Sequence, residues 1–511
     1  MARPVPPLAD RPTLVLHFTV DQLKAEYLDV YAPQFTGGLA RLLKGGAVFT
    51  NAFQDHGITE TAPGHASTLS GRFPRSTGIV GNEAGVKDPE MPLLAGARGD
   101  PASPFRFRGT TLADWMRFSN PLARALSISR KDRGAILPLG RARGEAYWFG
   151  TNGIVTTSRY YGDTLPTWVQ AFNARRLPQR HAGYTWELLL PASEYAEPDS
   201  VEVEAKGEDY TFPHRLSTDT ARAASGFYQF PMMDSVLLHL ALDGLQARQL
   251  GENPVRTDLL AISLSTTDAV GHKYGPDSRE IHDQILRLDR YLGQFLDSLY
   301  RLRDSTKIVI SLTADHGVTP YPVPGHWTRY RTEPAGYADL RPLAAALRHE
   351  VVEAGVDSAG FRWELETLYL DHDAFARAAV NRDSVARAYV RRASQIPGVL
   401  RADVWSDIAK EDPRRDVFVR RWQHMFPPDL QVAAVVVLRP FWYWAGGETA
   451  NHGSPHYQDA HVPIIFAGAG IRPGRYADFV RVVDIAPTLA EVVRVRPMEA
   501  LDGTVLRQAL R

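Results

Sequence analysis

Three nearly continuous apolar runs each end at or just short of an aspartate, and a chain patterned this way is constrained to fold around a sheet buried on both faces. Thr13 to Val20 runs directly into Asp21, Asp258 to Leu264 precedes Asp268, and Lys307 to Leu312 precedes Asp315. Strands with one face in water alternate polar and apolar residues, whereas strands covered by helices on both sides do not. Between the second and third runs, Ile281, Ile285, Leu288, Leu292 and Phe295 recur at helical spacing within Ser278 to Tyr300, which predicts an amphipathic helix and hence a βαβ unit. In open α/β sheets ligands bind beyond the carboxyl ends of the strands, so the three aspartates are expected to meet in one cleft.

The rest of the chain reads as elaboration of that sheet. After Asp315 comes a turn-rich passage around Pro320, Pro322 and Pro324, followed by an expected second inserted subdomain over 320–445. Within it, Phe361 to Leu370 reads as a strand, Asp373 to Ile396 as a helix and Asp429 to Trp444 as a strongly apolar strand. The main sheet is expected to resume at Val462 to Ala467 and to close with a helix near Ile485 to Val493. The span 85–228, rich in Gly, Pro and aromatic residues, is expected to be a cap insertion over the cleft, and residues 1–511 read as a single domain.

Fifty-eight basic and 58 acidic side chains cancel, which argues against nucleic acid as a bulk partner. No window approaches the roughly 20 apolar residues of a membrane-spanning helix, so no membrane partner is expected. The absence of cysteine excludes disulfides, thiolate ligands and a cysteine nucleophile. The start, Met1-Ala-Arg-Pro-Val-Pro-Pro, carries no apolar signal-peptide core, so a cytoplasmic location or a signal replaced by an initiator methionine is expected.

Several short motifs carry chemistry. Asp268 and His272 are four residues apart, so one helical turn aims both at one ion. Asp315 and His316 are adjacent and precede Gly317, which permits the sharp turn that lets neighbours share an ion. His452 lies in an irregular loop, Asn451-His-Gly-Ser-Pro455, with His456 and His461 close by in sequence and not distinguished from it by spacing. Thr61 begins Thr-Ala-Pro-Gly-His and is placed at a helix N-terminus by the proline two residues on. Free N–H groups there favour an anion; a plain N-cap threonine is the alternative. A hydroxyl needs activation near neutral pH, and a metal ion can supply it.

Asp21, the Thr-Ala-Pro-Gly-His run at Thr61, Ser265-Thr-Thr-Asp-Ala-Val-Gly-His272, Thr313-Ala-Asp-His-Gly317 and His452-Gly-Ser-Pro455 together resemble the alkaline phosphatase superfamily. Within it, the chain is similar to the PafA-like alkaline phosphatases, relatives of the nucleotide pyrophosphatase/phosphodiesterases. The resemblance implies an α/β fold with a central, mostly parallel sheet flanked by helices and carrying inserted cap segments. It implies two zinc ions, one held by Asp268, His272 and His452, the other by Asp21, Asp315 and His316 with Thr61 as its alkoxide. Thr61 is then the nucleophile of a double displacement through phosphothreonine.

Lys131 and Arg133, in Ser-Arg-Lys-Asp-Arg-Gly134, look like the cationic pair that PafA-like monoesterases place on the transferred phosphoryl group, and Asn82 looks like the family asparagine that donates to it. A monoester dianion presents three terminal oxygens to such cations, whereas a diester has one of them esterified. The implied activity is hydrolysis of small phosphate monoesters to inorganic phosphate by a periplasmic or secreted monomer. A phosphodiesterase on the same core and a non-catalytic relative are the alternatives. Tyr147 and Trp148 are expected either to pack the cap or to face the leaving group.

Overall fold

The computed structural model describes residues 11–320, 336–446 and 450–511; Pro322 and Pro324 of the expected turn-rich passage lie outside them. In chain order the main elements are β1 (Leu14–Val20), β2 (Ala47–Phe53), helix α1 (Thr61–Ser70), β3 (Ala125–Ser129), α2 (Asp132–Ile136), β4 (Glu145–Phe149) and β5 (Val155–Thr156). There follow α3 (Met232–Ala247), β6 (Asp258–Leu264), α4 (Thr266–Tyr274), α5 (Arg279–Leu302) and β7 (Ile308–Thr313). A second set comprises β8 (Phe361–Glu364), β9 (Thr367–Leu370), α6 (His372–Arg377), α7 (Arg382–Ala393), β10 (Val399–Val404) and β11 (Val432–Leu438). The chain then returns through β12 (His461–Gly468) and β13 (Gly474–Tyr476) to α8 (Ile485–Val493).

The central sheet has the order β13-β2-β12-β7-β1-β6-β3-β4-β5. β1 pairs in parallel with both β6 and β7, and every residue of these three strands is buried. That is the double-sided burial the apolar runs demand, with α5 packing its apolar stripe beneath them and the side chain of Ser278 capping its first turn. Register aligns the carboxyl ends: Ser129 pairs with Ser263, Ser263 with Thr19, and Thr19 with Thr313. Asp21, Asp268, Asp315 and Lys131 all follow this one row. β12 runs antiparallel to β7, so its leading end, and the loop carrying His452, reaches the same edge.

Residues 85–228 differ from a pure cap. They supply β3, β4 and β5 to the main sheet, and Lys131 and Arg133 therefore emerge from a strand end rather than from a lid. Residues 336–446 build a separate four-stranded antiparallel sheet, β8-β9-β11-β10, over its own apolar core around Leu368, Phe375, Tyr389 and Val436. Two expected elements are split. Phe361 to Leu370 is a hairpin, turned at Leu365 with φ 43°. The helix expected over Asp373 to Ile396 breaks at Ala379, φ 57°, and restarts where the Asn381 side chain accepts the Ser384 N–H. Asp429 to Trp444 holds β11, and a separate short pairing at Tyr443–Trp444 follows.

Candidate active site

Asp21 leaves β1 directly and is fully buried. Gln22 follows in a left-handed conformation, φ 66°, from which its N–H donates to Asp315 Oδ1 at 3.1 Å and its side-chain amide donates to Asp268 Oδ1 at 3.2 Å. One residue thus orients two carboxylates that follow the strands on either side of β1.

On α4, Asp268 and His272 face the same way, and His272 Nε2 lies 3.2 Å from Asp268 Oδ1. His452 Nε2 approaches the same oxygen at 3.8 Å. The Nδ1 atom of each ring is bonded to a backbone carbonyl, that of Ala450 for His272 and of Thr59 for His452. A neutral ring whose Nδ1 donates to a carbonyl presents a lone pair at Nε2, so the Nε2 atoms of both rings converge on one carboxylate oxygen. The competing histidines are engaged elsewhere, His456 with the carbonyl of Leu438 and His461 with that of Thr50.

Across the cleft floor, His316 Nδ1 is bonded to the Gly317 carbonyl and its Nε2 lies 3.4 Å from Asp21 Oδ1 and 3.6 Å from Asp315 Oδ2. Both oxygens of Asp21, Oδ2 of Asp315 and Nε2 of His316 are buried and held by ion-pair contacts rather than by well-directed hydrogen bonds. The ligand atoms of Asp268, His272 and His452 lie within 4.8 Å of one another, as do those of Asp21, Asp268 and His316. Asp268 is thus common to both groups, and Asp315 stands beside the second. Gly317 serves a different purpose from the turn expected of it: a Cβ there would run into the carbonyl of Gln458.

Thr61 is the first residue of α1, a helix buried along its whole length. The next N–H, of Ala62, donates to Asn82 Oδ1 at 2.9 Å, which leaves the Asn82 amide nitrogen as the end available to the cleft. Lys131 Nζ lies 3.3 Å from Thr61 Oγ1, 2.7 Å from Asp268 Oδ2 and 2.5 Å from Asp21 Oδ2. The ammonium therefore rests on the two carboxylates, where a cation is most stabilised, rather than out in the cleft. Thr61, Asn82, Lys131, Arg133, Asp268, His272 and His452 line one cavity of about 580 Å³. Tyr147 and Trp148 are buried away from it, with Tyr147 donating to Glu145, and Phe149 lines the wall instead.

The charges respond to this crowding. Burial lowers the pKa of His316, but Asp315 and Asp21 outweigh it and raise the value to about 9. Burial, with His316 and His272 alongside, holds His452 well below its ordinary value and so neutral. Burial pushes Asp268 up, yet Lys131 and His272 keep it well below the usual carboxylate range. Three buried carboxylates thus have one ammonium and one imidazolium among them, one positive charge short of balance. A donor set of carboxylates and Nε2 imidazoles with buried atoms short of well-directed hydrogen bonds fits divalent cations of the zinc type.

Two positioning residues escaped the sequence reading. His65 Nδ1 lies 2.9 Å from the Thr61 carbonyl and 3.1 Å from Asp315 Oδ2, and its Nε2 lies 2.8 Å from Ser263 Oγ; its place four residues after Thr61 on one helix face was the available signal. Gln22 had no signal beyond following Asp21.

The chain matches the sequence profile described as Type I phosphodiesterase / nucleotide pyrophosphatase over residues 15–457. The chain belongs to this family. Among relatives, Alkaline phosphatase PhoV of Synechococcus elongatus is 30% identical over 528 residues, covering 99% of this chain and 94% of its own. A protein named Calcium-transporting ATPase from Myroides odoratus is 29% identical over 98% of this chain and 95% of its own. The crystal structure of wild-type alkaline phosphatase PafA superposes with a TM-score of 0.88 at 26% identity, each chain covered in full. A PafA variant substituted at one threonine, one asparagine, one lysine and one arginine superposes equally well. The α/β fold with a mixed, mostly parallel sheet is that of PafA, and this family member is a hydrolase of the alkaline phosphatase superfamily, with PafA-like alkaline phosphatases among its relatives.

Proposed function

We propose that this enzyme hydrolyses phosphate monoesters by double displacement at Thr61. The observation that carries the reading is the meeting, in one cavity, of the Thr61 hydroxyl with Lys131, Arg133 and Asn82. Two zinc ions, the first held by Asp268, His272 and His452 and the second by Asp21, Asp315 and His316 with Thr61, would supply the Lewis acidity that activates the hydroxyl and neutralises the departing oxygen. Thr61 Oγ1 attacks phosphorus in line as the ester P–O bond breaks, giving phosphothreonine and an alcohol. Water then attacks the same phosphorus, releasing inorganic phosphate and restoring the threonine. Asn82, its amide oxygen held by the Ala62 N–H, donates to a phosphoryl oxygen, and Lys131 and Arg133 meet the remaining charge.

Comparison of p-nitrophenyl phosphate with bis(p-nitrophenyl) phosphate on metal-replete enzyme tests the reading. Faster monoester turnover, reduced in Lys131→Ala and Arg133→Ala, is expected; a faster diester rate indifferent to both substitutions favours the second reading, phosphodiester hydrolysis, to which the name of the matching profile points. Full turnover by Thr61→Ala rules out the covalent route. The reading extends to an exported monomer, checked by fractionation and sedimentation.

A further inference from the structure

The cleft carries more positive charge than a transferred phosphoryl group needs. Its lining includes Arg130, Lys131, Arg133, Lys206 and Lys273, against Asp268 as its acidic member. Lys131 and Arg133 have their role in the reading above, and Lys273 is paired with Asp209 at 3.2 Å. Arg130 is different. It leaves the end of β3 one residue before Lys131, and its guanidinium lies 4.8 Å from the centre of the Tyr228 ring. Its Nε is buried with no hydrogen-bond partner, and no ion pair joins it to a described residue. Burial pulls its pKa down from the ordinary arginine value, and the neighbouring Arg133 adds to that.

Asp268 and Asp21 act on Arg130 only at longer range, and both are already met by Lys131. A guanidinium stacked on an aromatic face presents its N–H edge for an in-plane acceptor. Planar carboxylates and phosphates are the groups that match that edge. The cavity has room for such a group beyond the phosphoryl pocket, since about 580 Å³ holds a whole small organic ligand. Exposed Lys206, also on its wall, reinforces the sign of the field there.

We propose that Arg130, backed by Tyr228 and with Lys206 on the same wall, forms an anion subsite for the leaving group, so that preferred substrates are phosphate monoesters whose alcohol carries a second anionic group, a carboxylate or a further phosphate. This rests on the monoester reading. Matched substrate pairs test it: glycerol 3-phosphate against 3-phosphoglycerate for a short reach, and sorbitol 6-phosphate against 6-phosphogluconate for a long one, each pair differing by a terminal CH₂OH or carboxylate.

The expected result is a preference of about tenfold or more in kcat/KM for the carboxylate in at least one pair, the scale of one charge-assisted hydrogen bond. Arg130→Gln should abolish it through KM while leaving the neutral partner within about twofold, and Arg130→Lys should restore part of it. Equal losses on both members in Arg130→Gln would assign Arg130 to the transferred phosphoryl group or to folding and overturn the subsite. The wild-type preference needs no variant, so turnover of all four esters without discrimination overturns the subsite alone. No turnover of any monoester, p-nitrophenyl phosphate included, sinks the monoester reading and the subsite with it.

Discussion

Asp55, just beyond the end of β2, and Asp21, just beyond the end of β1, are both buried carboxylates at the same edge of one sheet, yet they are neutralised by different means. Asp55 receives Arg420 through Nε and Nη2 at 2.9 and 3.0 Å and Arg421 Nε at 3.4 Å, with the His424 ring 3.5 Å away. These partners sit on or beside the helix Val417–Gln423, so the pair fastens the segment between β10 and β11 to the main sheet. Asp21 has instead the Lys131 ammonium 2.5 Å from Oδ2 and the His316 ring 3.4 Å from Oδ1, and no guanidinium among the described residues pairs with it. Guanidinium groups stay charged and bind carboxylates through fixed N–H edges, while a lysine on a flexible stem is easily displaced. The closed site is a joint; the open one, on the proposed reading, exchanges its ammonium for a metal ion.

Asp268→Asn attacks the open site where its two ligand groups meet, and the largest effect is expected there. Metal analysis should find fewer than two equivalents of divalent ion per chain, and kcat/KM on p-nitrophenyl phosphate should fall at least about 10³-fold, since groups that act as a unit fail together. Asp55→Ala should do the reverse, retaining metal while unfolding in denaturant at about 3–5 kcal/mol lower stability, because two arginines lose their buried counter-charge. If Asp55→Ala lost its metal, or Asp268→Asn kept both equivalents, the distinction between joint and exchange site would collapse.

A smaller effect separates them by pH. Burial raises the Asp55 carboxyl, but His424, Arg420 and Arg421 outweigh it and hold it well below the usual carboxylate range. A carboxylate whose pKa is depressed in the fold stabilises it fully above the unfolded pKa near 4, and that stabilisation drains away as the pH falls below it. Stability measured from pH 5 downward should therefore decline, and Asp55→Asn should flatten that decline from an already lower plateau. An undiminished acid slope in the variant would assign it to other carboxylates.

Much of this was legible in local sequence. Buried parallel strands such as Leu14–Val20 and Ile308–Thr313 advertise themselves as unbroken apolar runs, and the aspartates that end them fall in register because the strands do. Where the backbone turned without glycine or proline, at Leu365 and Ala379, no local signal marked the break. The short β3, five residues inside a span rich in Gly and Pro, was hidden for the opposite reason, by turn signals on both sides. Spacing alone did not tell His452 from His456 and His461; in the fold they differ in which carbonyl each ring meets, and that depends on segments far apart in the chain.

Gln22 is where the smallest effect should be the most telling. A glutamine at φ 66° sits in the left-handed region, at a cost of roughly 1–2 kcal/mol that glycine does not incur. Its contacts explain why the position is not simply relaxed: the N–H holds Asp315 and the amide holds Asp268. Gln22→Gly keeps the first contact, loses the second and relieves the backbone. It should raise the stability of the metal-free protein by about 1 kcal/mol while weakening metal binding by about 10-fold, the scale for removing a group that orients a ligand. Gln22→Ala should show the weaker binding without the gain. Titration of zinc into both variants, with denaturant melts of the metal-free forms, separates the two terms. Wild-type affinity in Gln22→Gly would mean that the amide does not position Asp268 and that the strained backbone has another cause.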